Sequence, residues 1–277
     1  MAEFFFDVDD TLIYNQYMYT KAYANFIDFM LDKLNVDPSI KQQSKDLIGM
    51  INSTSPKSKG ADEIIFDAGM DETLHGIFLT VHKCNKKGVE DNPANPYNKE
   101  RVPKAFRRAY FEICKNENLP VHWEEANEAY NLGKSFHNVK KDFIEGAEDV
   151  LEFLKGKGCK MKIYTCGDVW LQKKKIEVNE LDRYFDKKDQ IIVPIKHTGE
   201  IKNYLNGCDP DQTFMVGNSR RNDIVPALEA GIRAIYFPSA TFYEWDDAGM
   251  KEEHKKKVIT IHHLKDIINN YDSLVSK

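Results

Sequence analysis

Three aromatics, Phe4-Phe5-Phe6, followed by Asp7-Val8-Asp9-Asp10-Thr11-Leu12, read as a short strand that is apolar on both faces and stops at carboxylates. After Leu12 the hydrophobic period changes from two to about 3.6 residues. Tyr19, Tyr23, Phe26, Met30 and Leu34 then share one helical face, with a stop expected between Asn35 and Pro38. The section up to residue 140 reads as further helices, at 41–52, 62–75, 79–85, 101–116 and 123–139. Polar loops at 53–60 and 91–98 break them, and no convincing strand interrupts them. From Phe143 onward short apolar strands, at 161–165, 191–193, 213–216, 233–237 and 258–261, alternate with helices at 146–155, 169–178, 200–205, 224–230 and 264–274. Pro226 is tolerable only in the first turn of its helix. Strands separated by helices require right-handed crossovers, so the pattern predicts an α/β, doubly wound, mostly parallel sheet with a helical module inserted after its first strand.

Composition narrows this picture without changing it. A chain of 277 residues, 42% hydrophobic and 12% aromatic, suffices for a core domain with a large insertion. Its 39 basic and 44 acidic residues give a net charge of −5, which offers no electrostatic case for nucleic acid or an anionic membrane. The runs Lys173-Lys174-Lys175 and Lys255-Lys256-Lys257 read as solvated helix faces. Five cysteines, at 84, 114, 159, 166 and 208, contain no C-x-x-C pair and fit a reducing compartment. His82-Lys83-Cys84 and His262-His263 are at most weak metal-binding hints. No apolar run approaches the roughly 18 to 20 residues of a membrane span, and the expectation is a cytoplasmic protein.

The candidate chemistry lies at strand ends, because in an open α/β sheet the ligand crevice sits beyond the carboxyl ends of the strands. Alternation along an extended segment lets Asp7 and Asp9 point the same way while Asp10 points elsewhere. The strand at 161–165 ends in Thr165-Cys166-Gly167-Asp168, the segment after 191–193 brings Lys196, and the strand at 213–216 runs into Gly217-Asn218-Ser219-Arg220-Arg221-Asn222-Asp223. An acid pair, a threonine, a lysine and an acid loaded on four strand ends suit phosphoryl transfer. A few oxygen ligands suit Mg²⁺, and the cation with Lys196 would offset charge on the transferring group. One carboxylate can attack phosphorus while its neighbour handles the leaving-group proton.

In this order and spacing the motifs resemble the haloacid dehalogenase-like (HAD) hydrolase superfamily: Asp7 to Leu12 as the first motif, Thr165 the second, Lys196 the third, and Gly217-Asn218 through Asp223 the fourth. Phe143-Ile144-Glu145-Gly146-Ala147 also looks like the family. The resemblance implies a Rossmann-like core over residues 1–14 and 141–277 and an all-helical cap of the C1 type over 15–140. It implies that Asp7 is the nucleophile forming an aspartyl-phosphate. Asp9 would act as acid and base, with its backbone carbonyl toward Mg²⁺; Thr165 would bind a phosphoryl oxygen; Lys196 would neutralise charge; Asn218 and Asp223 would complete the metal site. Many members have Asp where this chain has Asn218, and the third-motif lysine, often followed by proline, is here followed by His197, which leaves Lys202 as an alternative. True dehalogenases lack the second aspartate, so the implied activity is a phosphatase acting on a small phosphorylated metabolite. A phosphomutase on the same core and a non-catalytic binding protein are the alternatives. Tyr14, Tyr17, Tyr97, Arg101, Arg107, Arg108 and Trp123 are candidate substrate contacts. Hinges near 13–16 and 138–143 are expected to let the cap open and close.

Overall fold

A computed structural model describes residues 1–53, 70–137, 139–238 and 251–276. The chain divides into two compact units, Met1–Asn15 with Lys140–Lys277, and Gln16–Val139. Among the described residues no helix is long and apolar enough to cross a membrane.

The first unit is built on six strands: β1 (Glu3–Phe6), β2 (Lys160–Cys166), β3 (Gln190–Val193), β4 (Thr213–Gly217), β5 (Arg233–Tyr236) and β6 (Val258–Thr260). Their order is β3-β2-β1-β4-β5-β6, and all five pairings are parallel. β1 is therefore central, which explains its continuous aromatic run. Phe4 and Phe6 belong to the cluster on one face, with Phe4 stacked on Phe214 at 5.0 Å, and Phe5 packs on the other face edge-to-face with Tyr164 at 6.4 Å. All three are fully buried, each worth roughly 1.5–3 kcal/mol of transfer free energy.

The second unit is all helical over its described residues: α1 (Gln16–Leu31), α2 (Pro38–Ser53), α3 (Glu72–Glu90), α4 (Arg101–Asn116) and α5 (Trp123–Lys134). The stripe of α1 does its expected work, with Tyr23 against Phe78 and Phe106, and Phe26 against Phe106, at 5.1–5.3 Å. Several boundaries differ from the sequence reading, α2 among them, which begins at Pro38 rather than 41. α1 stops at Leu31, where Lys33 and Leu34 both bond back to the carbonyl of Met30. The helices expected at 62–75 and 79–85 are, over their described part, one helix capped by Asp71, whose carboxylate accepts the Thr73 N–H at 2.8 Å. α5 ends at Lys134 rather than 139. Residues 54–69, carrying most of one expected loop and the start of one expected helix, lie outside the described residues.

The remaining helices cover both faces of the sheet: α6 (Ala147–Gly156), α7 (Val169–Val178), α8 (Thr198–Lys202), α9 (Val225–Glu229), α10 (Glu252–Lys255), α11 (Asp266–Asn269) and α12 (Tyr271–Val275). Pro226 falls in the first turn of α9. The closing helix expected over 264–274 is split into α11 and α12 at Asn270, whose side-chain amide donates to the Asp266 carbonyl at 2.8 Å. An asparagine there competes with the backbone ladder. α8 begins two residues early because His197 caps it, Nδ1 accepting the Glu200 N–H at 3.1 Å.

Candidate active site

β1 ends at Phe6, and Asp7 still donates its backbone N–H to the Val216 carbonyl at 3.0 Å, so its side chain starts from the ladder itself. The chain then turns sharply. The N–H groups of Leu12 and Ile13 both return to the Val8 carbonyl, and Asp10 takes a left-handed φ of 57° while its carboxylate accepts the Asn15 N–H at 2.9 Å. Asp10 is a turn residue, spent on the loop. Beyond the turn, Tyr14 donates to the Asp142 carbonyl and Ile144 to the Leu12 carbonyl, so the two passages of the chain are bonded to each other within this unit.

Lys196 reaches the first carboxylate. Its Nζ donates to Asp7 Oδ1 and to Asp223 Oδ1, both at 2.5 Å, and all three side chains are buried. Burial works against the ammonium charge, but Asp223 and Asp7 outweigh it and hold Lys196 protonated well above the ordinary lysine range. Burial also pushes the Asp7 carboxyl up, to about 7; Lys196 opposes this, while Asp223 and Asp9 add to it. Two carboxylates share one ammonium, and the excess is negative. Lys202, by contrast, is exposed on α8.

Asp223 arrives by a tight path. After β4 the chain makes a wide π-type helical turn over Arg220–Ile224, a form frequent at functional sites. Asp223 Oδ2 accepts the Ser219 N–H at 2.9 Å, and a Cβ on Gly217 would fall 2.4 Å from that oxygen. Only glycine fits there. Asn218 is half-buried, and its Oδ1 accepts the Thr11 hydroxyl at 3.3 Å. Thr165 is buried at the end of β2 beside Cys166, whose thiol burial pushes up to about 12, so it stays neutral.

Asp9 is partnered differently from Asp7. Lys175 Nζ donates to its Oδ1 at 2.8 Å and Oδ2 at 2.6 Å, and Gln172 Nε2 to Oδ2 at 3.0 Å. Burial tends to raise the Asp9 carboxyl, but Lys175, Gln172 and then Lys141 hold it below the usual carboxylate range. The reading of Lys173-Lys174-Lys175 as a solvated face is corrected here: Lys173 is exposed and Lys174 partly so, whereas Lys175 is 2% exposed. One signal was available. Lys175 stands four residues after Leu171 and next to Ile176, on the buried stripe of α7. The run 255–257 is exposed.

A divalent cation suits the first cluster. Among the described residues no three His, Cys, Asp or Glu side chains group as a metal cage. Asp7, Asp223 and the Asn218 amide oxygen are the side chains here that could hold a cation, a set suited to an ion that keeps several waters. His82, His262 and His263 are exposed and Cys84 is buried. In the helical unit several candidate contacts have local partners. Tyr17 OH donates to the Ile51 carbonyl at 2.8 Å, Arg108 pairs with Asp91 at 3.0 Å, and Arg101 and Arg107 lie over the rings of Tyr97 and Tyr130. Trp123 is exposed.

Comparison with known proteins agrees with this architecture. Over 206 residues the chain is 25% identical to the glyceraldehyde 3-phosphate phosphatase of Pyrococcus furiosus, spanning 66% of this chain and 83% of that protein. A haloacid dehalogenase-like family hydrolase from Xanthomonas campestris superposes with a TM-score of 0.65 at 16% identity, over 99% of this chain and 96% of that one. The Bacillus subtilis protein YfnB, solved bound to magnesium, superposes with a TM-score of 0.52 at 15% identity over 99% of both chains. These structural likenesses speak to the fold. The model of the haloacid dehalogenase-like hydrolases matches residues 64–237, more than half of the sequence, and the chain belongs to that family of hydrolases.

Proposed function

We propose that the chain is a Mg²⁺-dependent phosphatase of a small phosphomonoester, such as a nucleotide or sugar phosphate, that carries the phosphoryl group on Asp7. The observation that supports this most directly is the Asp7–Lys196–Asp223 cluster, two buried carboxylates bridged by one ammonium at 2.5 Å beyond the ends of parallel strands. In the first half of the reaction an Asp7 oxygen bonds phosphorus in line, the ester P–O bond breaks, and Asp9, which must first take up a proton against the pull of Lys175, gives that proton to the departing alkoxide. In the second half the oxygen of water bonds phosphorus, the bond to Asp7 breaks with its electron pair returning to Asp7, and the water proton passes to Asp9. Thr165 donates a hydrogen bond to a phosphoryl oxygen, and Lys196 offsets charge there. Asp7, Asp223, Asn218 and the Asp9 carbonyl would hold Mg²⁺, which when bound supplies the positive charge that two carboxylates and a phosphoryl dianion require. The helical unit serves as the cap that selects substrate and excludes water.

The test is phosphate release from a panel of phosphomonoesters, with Mg²⁺ and with EDTA. Metal-dependent release from one compound far above the rest is expected. Silence across the panel from folded protein in Mg²⁺, or conversion of a sugar phosphate to its isomer without free phosphate, overturns the reading.

A further inference from the structure

Helix α7 carries two buried polar side chains three residues apart, Gln172 and Lys175, at 3% and 2% exposure. The reaction as written above uses neither. Both meet Asp9, and the three bonds they make fill most of the carboxylate's roughly four acceptor directions. Gln172 Nε2 also donates to the Cys166 carbonyl at 2.9 Å, so one amide ties Asp9 to the end of β2. The neighbouring backbone leaves room for it: Gly167 has a φ of +137°, and a Cβ there would come 3.1 Å from Gln172 Nε2. At the far end of the helix, Asn179 is fully buried, donates to the Lys175 carbonyl and accepts the Lys141 N–H, both at 2.7 Å. The clamp is thus anchored at both ends, on β2 and on the segment that re-enters this unit.

Stability alone does not account for Lys175. It stands on the buried stripe of α7 with Leu171 and Ile176, and apolar residues of similar volume in place of both partners would serve the fold as well as or better than a buried Asp9–Lys175 pair. What the ion pair adds is direction. We propose that Lys175, seconded by Gln172, is a positioning residue that fixes the Asp9 carboxylate to take the water proton in the second half of the reaction. The proposal rests on the phosphatase reading above.

Pre-steady-state hydrolysis of p-nitrophenyl phosphate with Mg²⁺ tests it, because nitrophenolate leaves without a proton and its release reports the first half alone. Lys175→Met is expected to keep a burst of about one nitrophenolate per protein while the steady rate falls at least ~30-fold, with KM changed less than about threefold. Lys175→Arg recovers a large part of the steady rate, and Gln172→Met shows a smaller loss of the same kind. A steady rate within about threefold of wild type, a loss confined to KM, or a burst that shrinks in step with the steady rate overturns the clamp. Should Lys175→Met not fold, Lys175→Arg and Gln172→Met decide: unchanged steady rates in both overturn it, and slowed steady rates with full bursts support it. Wild-type protein that releases no nitrophenolate, or an Asp7→Asn variant that keeps its rate, overturns the phosphatase reading and the clamp with it. An active wild type, a silent Asp7→Asn and an unaffected Lys175→Met overturn the clamp alone.

Discussion

Asp7 and Asp9 stand two residues apart at the end of one strand, yet the fold surrounds them in opposite ways. Asp7 shares a single ammonium with Asp223, and burial with two like charges pushes its carboxyl up to about 7. Asp9 takes two bonds from Lys175 and one from the Gln172 amide, feels Lys141, and stays below the ordinary carboxylate range. The fold thus gives two neighbouring carboxylates unlike surroundings. The Asp7 side holds two carboxylates against one ammonium. The Asp9 side already holds its counter-charge within the protein.

The contrast is open to direct attack. The largest effect belongs to Asp7→Asn, which is expected to lower turnover by at least about a thousandfold. In EDTA its thermal midpoint should equal or exceed that of wild type, because Asp223 then has Lys196 alone. A variant that keeps most of its activity removes Asp7 as nucleophile, and one that melts well below wild type denies the crowding. Next comes Lys196→Met, which strands two buried carboxylates and should cost about 3–5 kcal/mol in denaturant unfolding. Lys175→Met should cost less, because the Asp9 side chain is 24% exposed and keeps Gln172. Equal losses from the two lysines would erase the distinction between the clusters.

The smallest effect concerns a third carboxylate–lysine pair, at the opposite end of β1. Lys162 Nζ stands 2.6 Å from Glu3 Oε1. Burial raises the Glu3 carboxyl, but the bonds from Lys162 and Cys208 outweigh it and hold it below its ordinary 4.5. A lowered folded value means that the pair stabilises above about pH 4.5 and that the contribution is lost as pH falls through the folded value. Glu3→Gln should therefore cost roughly 1–2 kcal/mol at pH 7 and progressively less in acid. A cost that does not change with pH would show that packing, not charge, is what Glu3 contributes.

Much of this molecule is legible along the chain because its cause is local. Three consecutive aromatics can only be buried from both sides, and Phe4, Phe5 and Phe6 are. The period change after Leu12 marks the passage from strand to helix, and Pro226 can open a helix but not sit inside one. Asp7, Lys196 and Asp223 each stand out as polar residues where apolar strands stop. Boundaries were less legible where a side chain acts as a cap or competitor, as His197 does for α8 and Asn270 does between α11 and α12.

The sequence by itself determined the parallel α/β sheet, the helical insertion and the strand ends at which polar groups would gather, since periodicity and propensity act over a few residues. Tertiary structure alone decided who meets whom. Lys173, Lys174 and Lys175 are chemically identical; spacing from Leu171 marks the third as facing inward, and only the packing of α7 brings it to Asp9. Lys196 rather than Lys202 reaches Asp7 for the same reason: a choice between like residues is made by long-range geometry, across 189 positions of chain.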